Sequence, residues 1–336
     1  MIKRSFLLSA FAVILAFLLP LLLSVRPNQR VQPAEPTPSP SPLPDEPERA
    51  PVLDAAIMLS VKTEGGVREM SMAEYLPGAL AGEMPAAFDS EALKAQTVAL
   101  RSYALHYQSA RKQTHPDADV CTSPSCCAAW TAETDMQALW GSNFGFYSAK
   151  LHAACTATDG QYLVYEDAPI LAVFHASSVG QTETGADLGT VQPYLQSVST
   201  PETADAVTNL CTTVEVSAAD FQQTLRSASP TISLDGSPDT WLGKTSLNEA
   251  GRVQSVTIGG QEVSGLALRA MFSLRSTDFT LTREGDLFVF HVNGYGHGLG
   301  MSQHGANLMA KSGSDYAEIL AHYYPGTQLV IAMVAD

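Results

Sequence analysis

Residues 89–111 read DSEALKAQTVALRSYALHYQSAR, and this stretch decides the fold. Ala, Leu, Lys and Gln dominate it, neither Gly nor Pro interrupts it, and Asp89 or Ser90 can cap its first turn, so the pattern predicts a long helix. Leu93, Thr97, Leu100, Ala104 and Tyr107 recur at steps of three or four and form a core-facing stripe. Glu91, Ala95, Val98 and Ser102 make a second, narrower strip. A carboxyl desolvated on such a face can act as a general acid near neutral pH. A first-turn glutamate also has a plainer explanation, because the positive end of the helix dipole favours an anion there. Both readings of Glu91 stand at this point.

Toward the N-terminus, Lys3 and Arg4 precede a run from Ser5 to Val25 that carries no charge. At a helical rise this run is long enough for the roughly 30 Å hydrocarbon core, so residues 1–25 are expected to be a cytoplasmic tip and a transmembrane anchor. A signal peptide is the competing reading, but its apolar region is shorter and a small-x-small cleavage site follows it. Residues 26–51 are rich in proline and nearly devoid of apolar side chains, which predicts an extended linker. Residues 52–336 suit one large mixed α/β extracytoplasmic domain of the α+β class, or two fused lobes. The formal charge of −15 and pI near 4.8 argue against a nucleic-acid partner.

Within that domain, Ile57–Thr63 and Val67–Met70 flank a glycine turn and predict a hairpin. Ser71 with Glu74 predicts a capping box for a short helix meeting Pro77, and Glu83 follows in the run GEMP as a second carboxylate near Glu91. The polar loop THPDADVCTSPSCCAAW, residues 114–130, holds His115, Cys121, Cys126 and Cys127. Three thiolates with one imidazole are a common structural zinc set, whereas a local disulfide from Cys121 is the alternative. Five cysteines cannot all pair, and three given to a metal leave Cys155 and Cys211 as a possible disulfide.

Gly160–Val164 and Ile170–Phe174 read as strands, the second leading into FHASSVGQTET, where polar groups crowd a strand end. No Gly-x-Ser-x-Gly elbow accompanies Ser177 or Ser178, so a serine hydrolase fits poorly. Residues 188–246 read as mostly loop apart from a capped helix over Ser217–Arg226. Hairpins are expected at Val253–Val263 and Phe279–Val292, with a short helix at Gly265–Phe272 between them. The stretch GYGHGLGMSQHGA, residues 294–306, has glycine at every other position, which clears one side of an extended segment for a ligand and aims Tyr295, His297, Leu299 and Met301 the other way. Helices capped by Ser302 and Ser314 are expected after it.

Taken together, EALKAQTVALRSYAL, FHASSVGQTE, LRSTDFT and GYGHGLGMSQHGA, behind a single anchor, resemble the stage II sporulation protein D family of peptidoglycan lytic transglycosylases over about Ala56 to Tyr324. The resemblance implies a membrane enzyme of sporulation and engulfment that cleaves between N-acetylmuramic acid and N-acetylglucosamine without water, leaving 1,6-anhydro ends. It implies Glu91 as catalytic acid and a supporting role for Glu83. Glycan contacts are expected from His175, Ser177, Ser178, Gly296, His297, Gly300, Ser302, Gln303 and Tyr324. The cysteine loop resembles that of clostridial-type members, which implies zinc on His115, Cys121, Cys126 and Cys127; Cys126 stands where such members tend to carry His, shifting the set toward sulfur. Peptide-stripped glycan strands, the membrane and engulfment-machinery membrane proteins including a cell-wall amidase are the implied partners. A zinc peptidase or amidase and a glycan-binding module without activity are the other two readings.

Overall fold

The computed structural model describes residues 53–185, 189 and 191–332. The expected anchor and linker lie outside the described residues. The chain opens with the hairpin of β1 (Met58–Thr63) and β2 (Gly66–Ser71), paired from Met58 opposite Ser71 to Thr63 opposite Gly66. Ser71 then caps α1 (Met72–Glu83) in the expected box: Glu74 N–H donates to Ser71 Oγ at 3.3 Å, and Ser71 N–H donates to Glu74 Oε2 at 2.7 Å. The helix does not stop at Pro77. It continues to Glu83 because Tyr75, Leu76, Ala79 and Leu80 are all fully buried, and that burial outweighs the roughly 3 kcal/mol an internal proline costs.

The central element is α2 (Ser90–Ser109), capped by Asp89, whose carboxylate accepts from Glu91 N–H at 2.9 Å. Ala95 to Ala104 are buried without a break, so the helix is surrounded, where its sequence stripe suggested one buried face. Small residues let neighbours approach, and the polar ones are satisfied internally. Ser102 Oγ accepts from Leu163 N–H at 2.8 Å and donates to Val98 O at 2.7 Å. Arg101, fully buried, makes a two-point ion pair to Asp54, with both N–O distances at 2.6 Å, and donates to Gln161 O at 2.7 Å. Asp54→Ala strands that guanidinium in the core and is expected to cost about 3–5 kcal/mol, read as a lower midpoint in chemical denaturation.

Around this helix lie β3 (Val120–Cys121), parallel to β1, then α3 (Glu133–Trp140), α4 (Phe144–Ala157), β4 (Gln161–Tyr165), β5 (Ala168–Pro169) and β6 (Phe174–His175). The strand expected at Ile170–Phe174 forms only at its end, as β6, since Leu171 N–H is taken by the Tyr194 hydroxyl and Ala172 and Val173 N–H turn back to Ile170 O and Leu171 O. A second apolar cluster is built by β7 (Cys211–Ser217), α5 (Ala218–Ala228), β8 (Leu242–Leu247), β9 (Val253–Ile258), β10 (Gln261–Ser264), α6 (Gly265–Met271), β11 (Phe279–Glu284) and β12 (Leu287–Asn293). Phe221, Trp241 and Phe288 stack at its centre. Two of these strands, β7 and β8, fall in the region expected to be mostly loop; β7 pairs along the whole of β12. The chain closes with β13 (Met301–Ser302), α7 (Gln303–Lys311), α8 (Tyr316–Tyr323) and β14 (Gln328–Ile331). Asp315, one residue after the expected Ser314, caps α8 in a box with Glu318. The architecture is mixed α+β, and no helix among the described residues is long and apolar enough to cross a membrane.

Candidate active site

Two segments distant in sequence meet to form one wall of the site. β6 and β13 run parallel, with Phe174 opposite Met301 and His175 opposite Ser302. Tyr295 N–H donates to Ser177 O at 2.8 Å and Ser177 N–H returns a bond to Tyr295 O at 3.1 Å. The glycines of the 294–300 run serve this packing: Gly296 has φ +113° and a Cβ there would lie 2.8 Å from His175 Cβ, while one on Gly300 would collide with the Val173 carbonyl. The side cleared by the glycines therefore lies against the protein's own 173–178 segment. The glycine spacing alone predicts a ligand in that space.

In front of this wall is a cleft of about 600 Å³, lined by Glu83 and Gln303, by Tyr103 and Tyr107 of α2, by His175 and His297, and by Cys126 and Cys127. Glu83 ends α1 inside the cleft. Its Oε1 accepts from Ala129 N–H at 2.5 Å, and the Gln303 amide lies beside it. Burial pushes the Glu83 carboxyl above the usual carboxylate range, more than these two contacts pull it back. A carboxyl raised in this way adds stability in full below its unfolded value of about 4.3, and that contribution is lost as pH rises through the folded value. Glu83→Gln is therefore expected to match the parent in thermal midpoint at acid pH and exceed it progressively above, in melts recorded from pH 4 to 8.

Glu91 occupies a different environment. Its carboxylate pairs with Lys94 Nζ at 2.6 Å and accepts from Tyr316 N–H, at the start of α8, at 3.0 Å. It does not line the cleft. Of the expected glycan contacts, His175, Gly296, His297 and Gln303 line it. Ser177, Ser178 and Ser302 sit buried behind it. Tyr324 is fully buried, donating to Val173 O at 2.8 Å beneath Gly300, so it supports the wall and does not reach the cleft. Sequence reasoning passed over Tyr103, which shares a helix face with Tyr107 at a ring distance of 4.8 Å, and Lys112, whose Nζ lies 4.4 Å from the Tyr107 ring centre.

The two histidines are neutral near pH 7. Burial holds His297 down to about 4 and His175 well below the ordinary range, with nearby Arg252 pushing both the same way. His175 donates from Nδ1 to Leu299 O at 3.0 Å, so Nε2 accepts from Ser178 Oγ at 2.6 Å; that hydroxyl accepts in turn from buried Arg252 at 3.0 Å. The carboxylate of Glu202 ties the same wall together, accepting from Ser178 N–H at 3.1 Å and from the Ser302 hydroxyl.

His115, Cys121, Cys126 and Cys127 bring their ligand atoms within 4.8 Å of one another. His115 donates from Nδ1 to Ala118 O at 3.0 Å and turns Nε2 toward Cys127 Sγ, 3.3 Å away. A backbone carbonyl on the far nitrogen is the usual way a ligating imidazole is oriented. Burial, with the neighbouring thiols, pushes Cys121 up to about 12, a penalty that a cation shared by the cluster removes. The donor set thus fits a tetrahedral metal such as zinc. Because Cys126 and Cys127 also line the cleft, this candidate metal site forms part of its wall. Cys155 is buried in the core around α2 and Cys211 is exposed on β7; both are free, so the possible disulfide between them is not formed.

Residues 61–165, which include both carboxylates and the whole His/Cys cluster, match the family model for the stage II sporulation protein, SpoIID. The chain is 34% identical over 266 residues to the stage II sporulation protein D of Bacillus subtilis (strain 168), a match covering 78% of this chain and 75% of that one. It is 33% identical over 265 residues to the Bacillus amyloliquefaciens protein of the same name, with the same coverage. A more distant relative, 26% identical over 76% of this chain and 40% of its own length, is the amidase enhancer of Bacillus subtilis (strain 168). The identity to the two sporulation proteins, sustained over three quarters of each, means that the chain belongs to the stage II sporulation protein D family.

Proposed function

We propose that this protein is a lytic transglycosylase that cuts peptidoglycan glycan strands between N-acetylmuramic acid and N-acetylglucosamine, with Glu83 as its acid and base. The observation that carries this reading is a single desolvated carboxyl in the cleft: Glu83 is the only carboxylate among the described residues lining it. Hydrolytic glycosidases use two carboxylates flanking the bond. One suffices when the nucleophile is the substrate's own hydroxyl. Glu83, protonated, gives its proton to the glycosidic oxygen as the C1–O bond breaks and N-acetylglucosamine departs. The resulting carboxylate takes the proton of the muramyl 6-hydroxyl as that oxygen bonds to C1, which closes the anhydro ring and restores the acid.

The remaining groups fit supporting roles. Ala129 N–H fixes the orientation of the carboxyl, with Gln303 beside it, while Tyr103, Tyr107 and the neutral His297 offer apolar faces and uncharged hydrogen-bonding groups to sugar. Zinc on His115, Cys121, Cys126 and Cys127 would supply structural cross-linking of the cleft wall. A metallopeptidase reading is less well supported, because four protein ligands leave no open position for a reactive water.

By analogy with its relatives the protein would act in cell-wall remodelling during sporulation and engulfment. It would be anchored through residues 1–25 with its domain outside the cytoplasm, on strands from which an amidase has removed the peptides. Mass analysis of products from purified strands tests the activity. Anhydromuramyl ends are expected; reducing ends, free peptides or intact strands would each overturn it.

A further inference from the structure

Gly82 and Glu83 border a second cavity as well, a trough of about 530 Å³ formed by the run Met84 to Ala87 and by Leu139, Trp140 and Tyr147 of α3 and α4. Among the described residues they alone line both it and the main cleft, so the two hollows meet at the proposed acid. This arrangement has a chemical consequence. A group that protonates a glycosidic oxygen needs saccharide bound on both sides of that oxygen, and the main cleft supplies one side.

The lining of the trough indicates which sugar it suits. Apart from Glu83 it presents no charged side chain among the described residues, whereas the main cleft includes the Lys112 ammonium. Trp140 is only partly buried and is held in place by its neighbours, stacked on Phe144 at 6.3 Å and edge-on to Tyr147 at 5.6 Å; Leu139 at the rim is 72% exposed. Rigid aromatic surface of this kind takes the apolar C–H face of a pyranose ring, whose partly positive hydrogens meet the negative ring face. Of the two sugars in the strand, only N-acetylglucosamine lacks the lactyl group that carries a carboxylate or a peptide. We propose that this trough is a second saccharide subsite, holding N-acetylglucosamine on the leaving side of the scissile bond, with Trp140 as its platform. The proposal rests on the glycan-cleaving reading above.

The test uses the full chain in detergent with Glu83→Gln to keep strands intact, titrated with purified peptide-free glycan tetrasaccharide and followed by calorimetry. Adding Trp140→Ala is expected to weaken tetrasaccharide binding about tenfold, in line with the loss of one stacked ring. Trp140→Phe, which keeps an aromatic face, is expected to recover most of it, a rescue that general damage to α3 would not show. Unchanged tetrasaccharide affinity in Trp140→Ala would overturn the subsite alone. Glu83→Gln protein that binds no glycan at all would overturn the functional reading and the subsite with it.

Discussion

Glu83→Gln is expected to abolish anhydromuramyl product formation with the fold intact, whereas Glu91→Gln is expected to leave the rate nearly unchanged. The first loss is on the order of 10²–10⁴-fold or larger, because general acid–base catalysis alone accounts for that much and one residue serves both steps. Glutamine keeps the size of the side chain and can still accept from Ala129 N–H, so glycan binding is expected to persist. The second change removes an ion pair with Lys94 that is about a quarter exposed and, by the usual behaviour of such pairs, contributes about 0–1 kcal/mol. The pH–rate profile of the parent provides an independent check. Glu83 must be protonated when the bond breaks, and burial raises its pKa, so the rate is expected to fall as pH rises through that raised value. Strand assays on both variants with product mass analysis settle the assignment: a Glu91→Gln protein that is folded but inactive, beside an active Glu83→Gln protein, would return the role to Glu91.

The two carboxylates also show where sequence reasoning reaches its limit. Helix α2 was readable because its signals are local: Asp89 caps it and no breaker interrupts it. The capping box at Ser71 and Glu74 was readable for the same reason. What distinguishes Glu83 from Glu91 is not local. Glu83 accepts from Ala129 N–H, 46 positions away, and the Tyr316 N–H that engages Glu91 lies 225 positions away. A periodic apolar strip identified a buried face but could not show that Arg101 on the same helix is buried too, since its counter-ion Asp54 lies 47 positions upstream. The glycine pattern alone points to space for a ligand, whereas the protein's own backbone takes up that side. That its neighbour would be the 173–178 segment follows only from the parallel pairing of β6 with β13.

The metal cluster lies at the other extreme, since its donors fall between residues 115 and 127, and removing the metal is expected to have a large effect. Protein purified without chelator is expected to carry about one equivalent of zinc by elemental analysis, as a closed four-ligand site requires. Stripping that zinc, or replacing Cys127 by Ser, leaves buried donors crowded together without their cation. A ligand present at about a thousand times its Kd contributes roughly 4 kcal/mol to the folded state. For a domain of this size that corresponds to a fall in Tm of roughly 10 °C. The loss is expected to extend beyond stability, because Cys126 and Cys127 line the cleft and Ala129, two residues further on, donates to Glu83. Loosening this loop therefore disturbs the orientation of the acid. Under reducing conditions, zinc added back to the stripped parent is expected to restore both Tm and activity, but to restore neither fully in Cys127→Ser. Metal-free protein that melts at the parental temperature, or a Cys121 disulfide found by mass mapping of freshly purified protein, would instead assign the cluster to the disulfide reading.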